Sequence, residues 1–162
     1  MCAVSLANSI GQRISKDMII GISGGTIYAG TALYVKGINA SGLSTASIAF
    51  CLGGESFLGV VKTFNDNNLT LREKISVAAI PLLLGSATGI ATNYFITPLF
   101  PEFSLVRAAI VTFFGAKIAH AANNLPPEYF VTASCFGSAG RSIFVSGAVL
   151  SVGSALRILG VV

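Results

Sequence analysis

Long apolar segments alternate with short polar connections from residue 18 to the end of the chain. A helix that spans a membrane needs roughly 20 mostly apolar residues, whereas a strand of a membrane barrel alternates apolar and polar positions. The segments are too long for strands and lack that alternation, so the pattern predicts an all-α, polytopic integral membrane protein. We predict about five transmembrane helices, at residues 18–35, 44–61, 75–97, 104–122 and 142–160.

The last apolar stretch, Val131–Val162, is longer than one span and contains Arg141. Because a charged residue in the middle of a span is unfavourable, we place the start of the last helix just after this arginine. The preceding residues, Val131–Gly140, are then expected to form a short interfacial or re-entrant piece. The first four spans are expected to form two hairpins with short connections, and the fifth is a single C-terminal span.

Residues 1–17 differ in character from the spans. Apolar side chains occur at near-helical spacing at Val4, Leu6, Ile10 and Ile14, with polar and basic residues among them. This pattern is typical of an amphipathic helix that lies on a membrane surface. We therefore expect an N-terminal surface helix before the first span, and we expect the whole chain to form a single membrane domain.

The composition agrees with a bilayer environment. Hydrophobic residues make up 53% of the 162 residues and charged residues only 10%, whereas soluble proteins carry about 25% charged residues. So few charges cannot form the polar surface of a soluble domain of this size. The net charge of +4 does not indicate nucleic-acid binding, because no run of lysine and arginine is interleaved with aromatic residues. We expect the positive charge to lie beside anionic lipid head groups.

Lysine and arginine are distributed unequally between the two sides of the predicted bundle, and the richer side is usually cytoplasmic. With the N-terminus inside, seven basic residues fall on the inner side and three on the outer side. We therefore expect an integral protein of a bacterial inner membrane with a cytoplasmic N-terminus. The inner set is Arg13, Lys16, Lys62, Arg72, Lys74, Lys117 and Arg141, and the outer set is Lys36, Arg107 and Arg157.

Small residues recur every four positions in several of the predicted spans. Membrane helices associate through close backbone contact at such residues, because lipid tails are as apolar as leucine and burial alone does not drive association. Packing within one chain can use all of these faces, but their number favours a homo-oligomer or a complex with other membrane subunits. The candidate helix-packing residues are Gly21, Gly25, Gly85, Gly89, Gly147 and Ser151.

One carboxylate, Glu55, lies close to the middle of the second predicted span. A charged group at this depth costs about 2.5–3.5 kcal/mol on insertion scales, so it needs a partner, water or a proton. Counting from the inner ends of the helices brings Lys117 to nearly the same depth, with His120 on the same helix face. We predict an intramembrane polar cluster of Glu55, Lys117, His120 and Arg141, in which Lys117 is the nearest basic neighbour of Glu55.

Three interpretations of this cluster stay open: a proton or ion relay, a buried pair that fixes helix register or a subunit contact, and a protonated Glu55 beside a Lys117 that reaches the membrane surface. A relay favours a small membrane transporter or an ion or proton channel. A register lock favours a non-catalytic subunit of an oligomeric or multi-protein membrane assembly, such as a secretion, pilus-like or channel complex. The small-residue faces and the short loops make this subunit our leading expectation.

Motifs that would indicate an enzyme are incomplete. Residues 21–24 resemble the G-x-S-G motif of rhomboid intramembrane proteases, and His120 with Asn124 resembles their H-x-x-x-N motif, but the two motifs occur in the opposite order. A serine nucleophile also needs a base within hydrogen-bond reach. The three cysteines and the single histidine lack zinc-binding spacing. We expect no catalytic site, no cofactor and no bound metal.

Overall fold

The computed structural model of the chain describes residues 39–160. Over this range the protein is helical and contains no strand. Four of the helices described there are long and apolar enough to cross a membrane, which agrees with the predicted class. The predicted surface helix (1–17) and first span (18–35) lie outside the described residues. The helices are α1 (Ala40–Phe64), α2 (Leu71–Ile96), α3 (Leu105–Asn123) and α4 (Phe130–Ile158), with 3₁₀ turns at Thr97–Leu99 and Pro127–Tyr129.

Polar residues at the helix starts satisfy backbone donors that have no partner inside the helix. α2 begins with a capping box, in which the Thr70 hydroxyl accepts from the backbone N–H of Glu73 and the Glu73 carboxylate accepts from the backbone N–H of Thr70. Asn39 and Ser104 accept from backbone N–H groups in the first turns of α1 and α3. These caps explain why α1 and α2 each begin four residues before the apolar segments that predicted them.

α4 is the central helix of the described bundle. In its most apolar 18-residue segment 50% of the residues are buried, whereas the corresponding value for α2 is 12%. The reason is that α4 packs against α1, α2 and α3, while α2 lies mainly on α1. α2 and α3 make almost no contact although they follow each other in the chain. The expectation that the spans at 75–97 and 104–122 form a hairpin is therefore wrong. α3 pairs instead with α4, where small residues allow the two backbones to approach closely.

α4 runs without a break from Phe130 to Ile158, so the separate interfacial or re-entrant piece predicted for Val131–Gly140 is wrong. Arg141 lies inside this helix, and its charge is paired with a carboxylate, which removes the reason for a break. At 1.5 Å per residue the 29 residues of α4 extend about 43 Å, whereas the hydrocarbon core of a bilayer is about 30 Å thick. If α4 crosses a bilayer of this thickness, it must tilt or extend beyond the hydrocarbon region.

The contact between α1 and α4 supplies much of the buried core. Leu43 of α1 and Val149 of α4 are fully buried in it, and the hydroxyl oxygens of Ser44 and Ser146 lie 2.9 Å apart across the same contact. Hydrogen bonds of this kind between membrane helices contribute about 0.6 kcal/mol on average. The face of α1 that carries Ser44 continues in steps of three or four residues to Glu55, so the same contact turns this carboxylate toward α4.

Candidate intramembrane ionisable site

Glu55 lies in the contact between α1 and α4, where it meets Arg141. The Arg141 Nε–H donates to Glu55 Oε1 at 2.5 Å, and the two side chains form an ion pair. The Glu55 side chain is 12% exposed and the Arg141 side chain 22% exposed, so both charged groups are largely buried within the protein. Each charge compensates the other, which is the usual arrangement for ionisable residues inside a membrane bundle.

Residues one turn before Arg141 make room for its side chain. Side chains on a helix lean toward the helix N-terminus, so the guanidinium lies over the preceding turn of α4. There Arg141 Nη2 lies 3.4 Å from the hydroxyl oxygen of Ser138, and a Cβ added at Gly137 would lie 3.3 Å from Nη1. The absence of a side chain at Gly137 therefore leaves the space that the guanidinium occupies.

A cavity of about 610 Å³ adjoins the ion pair. Its wall comes from α1, α2, α4, the last two residues of α3 and the connection that follows them, and it combines apolar side chains with hydroxyl, amide and thiol groups. This volume falls within the range of about 300–1,000 Å³ that is typical of small-molecule sites. The polar and ionisable residues of the wall are Glu55, Ser56, Thr88, Asn123, Ser134, Cys135, Ser138 and Arg141.

The cavity reaches the end of the bundle that carries the connection between α3 and α4. Asn123, Leu125 and Pro126 line this end of the cavity and are themselves exposed. Glu55 lies nine residues before the end of α1 at Phe64, or about 14 Å along the helix axis. The cavity therefore leads from one end of the bundle to an ion pair well inside it.

The other two residues of the predicted cluster lie away from this pair. Lys117 is exposed on α3, with Nζ 5.6 Å from the centroid of the Phe113 ring. His120 is also exposed, and its carbonyl oxygen accepts from Nδ2 of Asn124. The expectation that Lys117 is the nearest basic partner of Glu55 is wrong, because α3 packs against α4 and makes almost no contact with α1.

The predicted packing glycines of α2 lie against α1. A Cβ added at Gly85 would overlap the side chain of Ser56, and one added at Gly89 would lie 3.0 Å from Leu52 Cδ1. Both glycines therefore allow α2 to approach α1 closely, as the G-x-x-x-G pattern indicates. This contact lies within the chain, so it does not by itself call for a second subunit.

The predicted packing residues of the last span lie on α4. A Cβ added at Gly147 would lie 2.6 Å from the backbone nitrogen of Thr112 on α3, which makes Gly147 a point of close helix contact. Ser151 is half-buried, and its hydroxyl donates to the carbonyl oxygen of Gly147. The remaining two predicted packing residues, Gly21 and Gly25, lie outside the described residues.

Sequence analysis missed two glycines at the closest approach of α3 and α4. A Cβ added at Gly115 would lie 2.7 Å from Phe144 Cα, and one added at Gly140 would lie 2.9 Å from Ala119 Cα. We call Gly115, Gly140 and Gly147 the glycine seam. Gly140 and Gly147 are seven residues apart, so a search for small residues with a seven-residue period would have found this pair where a four-residue search did not.

No protein-family model, curated protein or solved structure matches this chain. Within residues 39–160, no group of three or more His, Cys, Asp and Glu side chains is placed to hold a metal ion. The chemistry of the described site therefore rests on Glu55, Arg141 and the polar groups beside them. Of the two kinds of charged group, a carboxylate is able to accept a proton, whereas a guanidinium keeps its charge.

Proposed function

We propose that the protein is a small transport protein of a bacterial inner membrane, which moves a proton or a small ion by way of Glu55 and Arg141. The observation that carries the proposal is the position of this ion pair at the inner end of a cavity whose wall includes polar side chains, among helices able to cross a membrane. Ionisable residues inside membrane helices commonly mark ion pathways and proton relays.

A purely structural role explains less of the geometry. α1 and α4 already share an apolar core and the hydrogen bond between Ser44 and Ser146, so their packing has other sources than the charges. Replacement of buried ion pairs by apolar residues often leaves stability unchanged or raises it. A pair that only fixed helix register would also have no need of a cavity that connects it to one end of the bundle.

The transport proposal predicts that Glu55→Gln abolishes flux driven by a pH gradient, because an amide cannot take up or release a proton. The measurement uses the purified protein in lipid vesicles that contain a pH-sensitive dye, after a jump in external pH. Lys117→Met is the matched control, since it also removes one charge from the bundle but lies outside the cavity wall, and it should keep the wild-type flux. Equal flux from Glu55→Gln and wild type would refute the transport role.

We also propose that the cavity opens toward the cytoplasm. The end of the bundle that it reaches carries Lys62, Arg72 and Lys74, in line with the preference of basic residues for the cytoplasmic side. A single cysteine placed at Asn67 should resist a membrane-impermeant maleimide in intact cells and react after permeabilisation. A cysteine placed at Glu102, at the other end of the bundle, should react without permeabilisation. The reverse pattern of labelling would overturn this orientation.

The surface between α1 and α2 favours a second candidate function, a non-catalytic subunit of a larger membrane assembly. A groove of about 720 Å³ lies between these helices, and its mainly apolar wall includes Gly53, Ser86 and Gly89. Small residues of this kind allow another membrane helix to pack at short range. The native mass of the detergent-solubilised protein separates the candidates: a small particle with flux supports transport, and a large defined complex without flux supports the assembly.

A further inference from the structure

We propose that the cavity beside Glu55 and Arg141 binds a small monovalent oxyanion, such as a monocarboxylate, together with one proton. This inference rests on the proposed transport function and names the class of solute. In the bound state Arg141 holds the anion and Glu55 holds the proton. The argument uses the donors that the cavity offers, its size and the different proton chemistry of a carboxylate and a guanidinium.

The guanidinium of Arg141 has donors to spare. It carries five N–H groups in a planar arrangement that matches the oxygen atoms of a carboxylate. Among residues 39–160, the contacts of these groups are one hydrogen bond from Nε to Glu55 and one from Nη2 to Ser138 at the long distance of 3.4 Å. Arg141 itself lines the cavity, so with respect to the described part of the chain its remaining donors are available to an anion that enters there.

The rest of the wall suits a small polar solute. Ser134, Thr88 and Asn123 supply hydroxyl and amide groups that can donate to an oxyanion, and Ile80 and Leu84 supply apolar surface for a short carbon chain. Sites for small molecules typically combine a mainly apolar wall with a few polar groups that fix the orientation of the ligand. The cavity of about 610 Å³ has room for a solute with a few carbon atoms and for water.

The two charged side chains determine whether the site accepts an anion or a cation. The empty pair is neutral overall, and an added charge inside a membrane bundle is unfavourable unless it is compensated. An added anion can be compensated, because the Glu55 carboxylate can take up a proton. An added cation cannot be compensated, because the guanidinium does not lose its proton under physiological conditions. The site can therefore accept an anion with a proton and stay neutral, but it cannot accept a cation and stay neutral.

Other titratable groups do not alter this balance among the described residues. On α4 the cavity wall contains Arg141 and the Cys135 thiol. The parts of α2, of the end of α3 and of the connection after it that line the cavity carry no titratable side chain. The two basic candidates on α3, Lys117 and His120, are exposed and lie outside the wall. Glu55 is therefore the group that takes up the proton.

The binding step exchanges hydrogen bonds and adds one proton. The bond from Arg141 Nε to Glu55 breaks, and the guanidinium donates instead to the oxygen atoms of the anion. A proton from the aqueous phase forms an O–H bond on the Glu55 carboxylate. One negative and one positive charge enter together, so the net charge of the site does not change, and no bond of the solute breaks.

Calorimetric titration of the protein in lipid nanodiscs with sodium lactate tests the proposal. In two buffers with different ionisation enthalpies, the difference in heat gives the number of protons bound, and we expect about one proton for each lactate. The affinity for lactate should fall as the pH rises, which is the linkage expected when one proton binds with the anion. Binding without proton uptake, or with an affinity that does not change with pH, would overturn the proposal.

Two further titrations complete the test. Glu55→Gln carries a neutral group in place of the protonated carboxyl, so it should bind lactate with no proton uptake and no pH dependence. Sodium with a sulfonate counter-ion too large for the cavity should give no saturable heat, and binding of this salt would show a cation site and refute the proposal. Proton-coupled lactate binding without vesicle flux would refute the transport function but leave the anion site standing. Vesicle flux that does not respond to lactate would refute the anion site but leave the transport function standing.

Discussion

Neutralisation of Glu55 or Arg141 alone is expected to destabilise the protein strongly. The variants Glu55→Gln and Arg141→Met each leave one charge without its partner, which typically costs about 3–5 kcal/mol for a buried pair. Because 12% of the Glu55 side chain and 22% of the Arg141 side chain stay exposed, we expect a loss near the lower limit, about 3 kcal/mol. The measurement is the free energy of unfolding from denaturant titration in detergent micelles.

The double variant Glu55→Gln with Arg141→Met removes both charges and is expected to recover most of this loss. A double-mutant cycle then gives the coupling free energy of the two side chains. The control Lys117→Met also removes a positive charge, but from an exposed side chain on α3, so it should change the stability by no more than about 0.5 kcal/mol. Strictly additive losses from the two single variants would contradict the pairing of Glu55 with Arg141.

A methyl group added to the glycine seam is expected to push α3 away from α4. In Gly140→Ala the new Cβ would lie 2.9 Å from Ala119 Cα and 3.0 Å from the carbonyl oxygen of Gly115, and neither backbone atom can rotate aside. Overpacking of a well-packed interior costs about 1–3 kcal/mol, and we expect the upper part of this range because the clash involves backbone. Thermal unfolding in micelles should show a lower transition temperature.

Gly53→Ala is the matched control for the seam. It makes the same change in the middle of a helix, but no described atom lies within 4 Å of a Cβ at this position. Alanine favours helix formation over glycine by about 1 kcal/mol, so this variant should be as stable as the wild type or more stable. If Gly140→Ala matched Gly53→Ala in stability, the close contact between α3 and α4 would not be a source of stability.

The helices α1, α2 and α3 could be predicted from the sequence because the hydrophobic requirement of a bilayer acts on each segment separately, whereas α4 begins at Phe130, well before the predicted start at residue 142. The segment at 104–122 became α3 with a shift of one residue at each end, and the segment at 44–61 became α1 with capped and longer ends. The pairing of helices could not be predicted in this way. Chain order suggested that α2 and α3 pack together, whereas the close fit of Gly115 against Gly140 and its neighbours places α3 on α4.

The candidate site could also be predicted only in part from the sequence. Glu55 stands out in the sequence because it is a carboxylate in an apolar segment, and Arg141 was included in the predicted cluster. The choice of Lys117 over Arg141 as the partner failed because depth in the membrane does not determine which helices are neighbours, and α3 makes almost no contact with α1. The cavity was beyond sequence analysis, since its wall comes from four separate parts of the chain that meet only in the folded protein.

The short helix α3 limits how the described helices could be placed in a bilayer. Its 19 residues extend about 28 Å, close to the thickness of the hydrocarbon core, and the glycine seam holds α4 beside it in one register. Ala122, near the end of α3, lies beside Gly137, so residues 130–136 of α4 extend past α3. In a bilayer whose hydrocarbon core matches α3, these two turns would lie among the lipid head groups, and the mouth of the cavity with them. Under the proposed transport function, a solute would then meet phosphate and glycerol groups before the protein interior.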